Sequence, residues 1–168
     1  MTHPSREIRR VLAIDPTSRG FGFAVLEGPE NLIDYGTRGC PTTAPEVCLK
    51  RVEELLDIFH LDLVVLEDTD HEDSKRTPRI RKLLDDMELL VASRGVKTRR
   101  VPTGRIKKHF GARNKYQVAV KVAGQFAQLA PRLPAPLKSW DKEPERMAIF
   151  TAVARGLAVF QHGGPSVV

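Results

Sequence analysis

The chain has 168 residues, of which 41% are hydrophobic and 29% charged, and carries a net charge of +6. That composition excludes a disordered or collagen-like chain, and the length suits one domain of the usual ~100–200 residues. No stretch approaches the ~18 consecutive apolar residues of a membrane helix, and the opening MTHPSREIRR lacks the apolar segment of a secretory signal.

Residues 1–9 read as a short basic tail. Arg10–Asp15 reads as a buried strand that ends in a carboxylate, with turn residues over Thr17–Gly22. Phe21–Glu27 and Leu32–Arg38 read as two more strands, joined by a tight connection at Gly28–Asn31. Short links between them predict an antiparallel meander. Cys40–Pro45 is a loop. Val47, Val52, Leu55, Leu56 and Phe59 recur at helical spacing and predict a helix over Pro45–His60. Leu63–Glu67 (LVVLE) is long enough for a buried strand, and it too ends in a carboxylate. Asp68–Thr77 reads as a solvated polar loop.

Ile80, Leu83, Leu84, Met87 and Val91 mark a second helix, which Arg94-Gly95 closes. Lys97–Pro102 reads as a strand, and Thr103–Phe110 as a short helix capped by Thr103. Asn114 starts a further helix through Ala130, where Pro131 stops it. Arg132–Ser139 is Pro-rich and extended. The last helix is predicted over Pro144–Gln161, with a frayed tail at His162–Val168. The order βββαβαβ followed by helices predicts an α/β fold. Its mixed five-stranded sheet has three antiparallel strands, then parallel ones, and helices flank it. Cys40 and Cys48 form neither a disulfide framework nor a zinc cluster, and are read as ordinary thiols of a cytoplasmic protein.

The charge is unevenly spread. The 52 residues between Glu88 and Asp141 hold 12 Lys or Arg and no acid, whereas the rest of the chain is net negative. A cationic surface of this kind attracts phosphate backbones. With aromatics at 6%, an extended stacking platform for single strands is disfavoured.

A carboxylate that closes an apolar strand needs a partner, because burial disfavours its charge. Asp15 and Glu67 converge if their strands are neighbours. Asp141, Glu143 and Glu145 lie at the start of the last helix and can complete an oxygen-rich site. Such sites hold one or two Mg²⁺ in many nucleases.

Four segments, in order and over nearly the whole chain, resemble the RuvC-type Holliday junction resolvases of the ribonuclease H-like superfamily. VLAIDPTSRGFGFAVLE (Val11–Glu27) is similar to the family's first hairpin, with Asp15 as first metal ligand. LVVLEDT (Leu63–Thr69) resembles the strand that supplies Glu67. VPTGRIKKHFGARNKYQVAVKV (Val101–Val122) resembles the segment whose lysines, here Lys107 and Lys115, lie near the scissile phosphate. DKEPERMAIFTAVA (Asp141–Ala154) resembles the closing helix with its last acids. The family usually has two aspartates three residues apart there; here Asp141 and Glu145 are four apart, and Glu145 matches the second better.

The resemblance implies a ribonuclease H-like fold and a Mg²⁺-dependent endonuclease (Mn²⁺ also serving) that resolves four-way DNA junctions. Asp15, Glu67, Asp141 and Glu145 would hold two ions, and Lys107 or Lys115 would stabilise the phosphate. Arg99, Arg100, Arg105, Lys107, Lys108, Arg113, Lys115 and Lys121 would contact nucleic acid. A homodimer would match the two-fold junction, with the helix over Thr77–Arg94 helping to build it. No membrane and no small-molecule cofactor is implied. Two alternatives share the fold: a YqgF-like nuclease acting on structured RNA, and a catalytically degenerate nucleic-acid-binding protein, which the altered acid spacing raises. A sugar-kinase or actin-like phosphotransferase is disfavoured by length and by the lack of a GxxxxGK[ST] loop.

Overall fold

The computed structural model describes residues 8–41, 43–70, 74–136, 138 and 143–162. Three strands open the chain: β1 (Arg10–Thr17), β2 (Gly20–Glu27) and β3 (Leu32–Gly39). There follow α1 (Pro45–Ile58), β4 (Leu63–Glu67), α2 (Pro78–Ser93) and β5 (Lys97–Val101). The chain then continues as α3 (Thr103–Phe110), α4 (Lys115–Gln125), a 3₁₀ helix (Ala127–Arg132) and α5 (Met147–His162).

The sheet order is β3-β2-β1-β4-β5. β1 pairs antiparallel with β2, as β2 does with β3, while β4 pairs in parallel with both β1 and β5. The predicted mixed sheet is therefore the observed one.

Side chains alternate across the sheet, so β1, β2 and β4 each feed two cores. Val11, Ala13, Leu63 and Val65 pack with Ala24 and Leu26 under α3, α4 and α5. Leu12, Ile14, Val64 and Leu66 pack on the other face, under α1 and α2. Both faces of the parallel half are covered, which is why LVVLE reads as a continuous apolar run. No helix among the described residues is long and apolar enough to cross a membrane.

Several boundaries differ from the prediction. β1 continues past Asp15 to Thr17, and the hairpin turns on Ser18-Arg19. Pro16 is tolerated because pairing with β4 has ended by Ala13–Val65, leaving that side of the strand without a ladder. α4 stops at Gln125 because Phe126 turns extended and buries its ring. Pro131 then lies inside the 3₁₀ helix. α5 begins three residues later than predicted; Pro144, Glu145 and Arg146 form a lead-in turn whose carbonyls accept from Met147, Ala148 and Ile149. Pro102, not Thr103, occupies the N-cap of α3.

Cys40 and Cys48 correct the reading of two ordinary thiols. They form a disulfide that joins the end of β3 to α1, their Cα atoms 5.4 Å apart. The second helix also differs in use. Ile80, Leu83, Leu84, Met87 and Val91 of α2 are all buried in the chain's own core, while Leu89 is left 70% exposed. Most of its apolar surface is thus spent within the protomer.

α5 sits very close to β2. A Cβ on Gly22 would lie 2.5 Å from the Ala148 carbonyl carbon and 2.6 Å from its Cβ. Gly22→Ala is therefore expected to push the helix off the sheet and to cost about 1–3 kcal/mol, read as a lowered midpoint in urea. An unchanged midpoint would mean that the helix yields without cost.

Candidate active site

Asp15 and Glu67 lie two residues beyond Ala13 and Val65, which are partners in the parallel β1–β4 pair. The period-2 alternation turns both carboxylates to the α5 face. The convergence expected of the two strand-ending acids is therefore present. Both side chains are buried, at 3% and 5% exposure.

Two arginines meet them. Arg155 comes from the middle of α5 and is wholly buried. Its Nη1 donates to Asp15 Oδ1 at 2.9 Å, and its Nη2 to Thr103 Oγ1 at 3.0 Å and Glu67 Oε1 at 3.5 Å. Its Nε donates to the Val101 carbonyl at 3.1 Å. The Thr103 hydroxyl is thus engaged here instead of capping α3.

Arg76 comes from the segment before α2. Its Nε donates to Glu67 Oε1 and Oε2 at 3.1 and 3.2 Å, and its Nη2 to Glu67 Oε1 at 3.0 Å and Asp15 Oδ1 at 3.2 Å. Its side chain is 22% exposed. Burial works against the Arg76 charge, but Asp15, Glu67 and Glu143 outweigh it and hold the guanidinium pKa above its usual value. Arg81 fixes the approach of this segment by donating to the carbonyls of Arg76 and Ser74.

A cleft of about 470 Å³ opens beside this cluster. Its lining joins Glu67, Asp68, Ser74, Lys75 and Arg76 from the end of β4 and the segment before α2 to Pro102, Thr103, Gly104, Arg105 and Lys107 at and after the end of β5 and to Lys115 of α4.

No protein-family model and no curated protein matches this chain. Solved structures do. Thermus thermophilus RuvC is 19% identical, covers 91% of this chain and 95% of its own, and superposes with a TM-score of 0.66. T. thermophilus RuvC in complex with Holliday junction substrate gives 18% identity, 92% and 94% coverage, and 0.67. The yeast mitochondrial Holliday junction resolvase Ydc2 gives 12%, 95% and 83%, and 0.56. The fold is that of RuvC.

On this RuvC fold the predicted site residues divide. Asp15 and Glu67 come together. Glu145 does not join them; it is exposed in the turn before α5. The start of α5 nevertheless passes close to Asp15, because Gly22, the β2 partner of Asp15, lies against Ala148. Asp141 lies outside the described residues. Among the described residues no third carboxylate, histidine or thiol completes a metal-binding group.

Lys107 and Lys115 both line the cleft, and Lys115 also pairs with Glu143 at 3.6 Å. Arg105 lines it too. Arg100 is turned away from that role: it donates to the Glu67 backbone carbonyl and pairs with Asp85 and Glu88 of α2. Lys121 donates to the Phe110 carbonyl at the end of α3, so it ties two helices together. Lys108 and Arg113 are exposed beyond the cleft lining, and Arg99 is half-buried on β5.

Among the described residues the donor set does not fit the divalent ions that the fold family implies. Two carboxylates already face two guanidiniums, and the four charges balance. A cation shared by Asp15 Oδ1 and Glu67 Oε1 would have to displace a fully buried arginine from both carboxylates.

Sequence reasoning missed Arg155 and Arg76. Arg155 did carry a signal, being the lone charge inside the apolar stretch from Met147 to Phe160. A charge in such a place must find a buried partner. Arg76 sits in a polar segment with no periodicity, where no such signal exists.

Proposed function

We propose that this protein binds branched nucleic acid, four-way DNA junctions above all, in the basic cleft beside Glu67. The observation that carries the reading is the convergence of Lys75, Arg105, Lys107 and Lys115 on that cleft. The likeness to RuvC in complex with a Holliday junction, over 92% of this chain, supports DNA as the partner. Lysine and arginine contacts to backbone phosphates position a duplex without reading its sequence, which suits selection by shape. Two-metal hydrolysis is not part of this reading, because the site residues do not fit the ions. Of the readings open to the sequence, it is that of a nucleic-acid-binding protein of the resolvase fold. A second copy, related by a two-fold axis, would match the symmetry of a four-way junction.

The test is fluorescence anisotropy with a labelled four-way junction, a linear duplex and a structured RNA, and a denaturing gel of the same mixtures in Mg²⁺, in Mn²⁺ and in EDTA. The expected result is tighter binding of the junction than of the duplex, with all strands intact. Preference for RNA would replace the substrate. Symmetric nicking in Mg²⁺ would replace binding with resolution.

A further inference from the structure

Arg76 and Arg155 stand against Asp15 and Glu67 as two monovalent cations against two anions. Asp15 Oδ1 accepts from both guanidiniums, and so does Glu67 Oε1. Each arginine therefore bridges the two acids, which is the task a pair of divalent ions performs in a two-metal nuclease site. Arg155 approaches from the helix side and is sealed from solvent. Arg76 approaches from the cleft side and is itself part of the cleft wall.

We infer that these two guanidiniums are a built-in replacement for divalent metal: the quartet Asp15–Glu67–Arg76–Arg155 is closed to cations, and the chain itself supplies the positive charge at the floor of the cleft. Three observations support this. The formal charges within the quartet sum to zero, so these four side chains present no net negative charge to a divalent ion; Glu143, which also acts on Arg76, is in turn paired with Lys115. Every Arg155 nitrogen has a protein acceptor. The two arginines also share Asp15 Oδ1 and Glu67 Oε1, so an ion held between those two oxygens would have to displace a guanidinium. A guanidinium suits the task because its planar fork satisfies several oxygens at once and keeps its proton at any working pH. The inference rests on the junction-binding reading for the nature of the anion in the cleft. It rests on the four side chains alone for the exclusion of metal.

The experiment uses the full chain without nucleic acid, so its outcome is independent of whether junctions bind. Thermal melts are recorded in EDTA and across a MnCl₂ titration from micromolar to millimolar. A site-bound ion at a hundredfold its Kd would raise Tm by about 5–10 °C. The expected result is no saturable rise. A saturable rise that disappears in Asp15→Asn would overturn the inference.

The acid variants supply a second readout, and its sign is diagnostic. Two bare carboxylates awaiting metal repel each other, so neutralising one raises Tm. In a balanced quartet the same change strands a buried positive charge, and Asp15→Asn and Glu67→Gln should each lower Tm by roughly 5 °C or more. A higher Tm in either variant would also overturn the inference.

Discussion

Replacing Arg155 with methionine should cost about 3–5 kcal/mol, the range seen when one partner of a buried ion pair is removed. For a domain whose total stability is ~5–15 kcal/mol, that is a large share. The loss has a definite origin. Asp15 and Glu67 would be left with Arg76 alone, a net negative charge at a largely buried site; the Thr103 hydroxyl would lose the Arg155 donor, and the Val101 carbonyl would keep only the Asp68 N–H. Arg155→Lys should not rescue it. One ammonium cannot reach Asp15, Thr103 and Val101 together, although it keeps the charge.

The double variant Arg155→Met with Asp15→Asn separates charge from packing. It restores the balance, with Glu67 opposite Arg76. Its destabilisation should therefore fall short of the sum of the two single losses by about 1–3 kcal/mol. Urea denaturation of the four proteins gives the cycle directly. Strict additivity would show that the two side chains are not energetically joined, and the quartet would then be a geometric coincidence.

Junction affinity should collapse with salt. If Lys75, Arg105, Lys107 and Lys115 each neutralise one phosphate, log Kobs falls with a slope of about −3.6 against log salt, a loss of roughly 150-fold between 50 and 200 mM. The existing Lys115–Glu143 pair does not prevent this. Both partners are more than a third exposed, and such a pair is worth at most about 1 kcal/mol, so a phosphate displaces it readily. The paired variant Lys107→Ala with Lys115→Ala should flatten the slope by about 2 and weaken junctions of any sequence alike. A slope that does not change in the variant would place the nucleic acid elsewhere on the surface.

The parts of this protein that could be read from its sequence are those that rest on short-range pattern. LVVLE announced a strand buried on both faces, and the matching Arg10–Asp15 run announced its neighbour. Two strands ending in carboxylates then implied a shared site, and the β1–β4 register provides it. What could not be read depends on which residue of a helix reaches that site. The acids near the start of the last helix match a metal-site pattern by type alone, and Glu145 is exposed. The lone arginine further along α5 makes the contact, and burial of the surrounding helix decides that, not local spacing. The break of α4 at Phe126 is similar in kind. Local propensity runs on through Ala130, and the burial of one aromatic ring overrides it.

The two borders of the sheet bear on how copies of this protein can meet. β3 forms one border, and there the 3₁₀ helix is fastened across it: Gln128 donates to the Leu32 carbonyl and accepts from the Tyr35 hydroxyl. β5 forms the other border, and its sequence, KTRRV, carries Lys97, Arg99 and Arg100. Two β5 strands approaching side by side would bring Lys97 and Arg99 of each copy together, which opposes joining the sheets into a continuous one. One border is fastened at its start by the 3₁₀ helix and the other repels its own kind. The two-fold assembly proposed above would then form through helices, leaving each sheet to end within its own protomer.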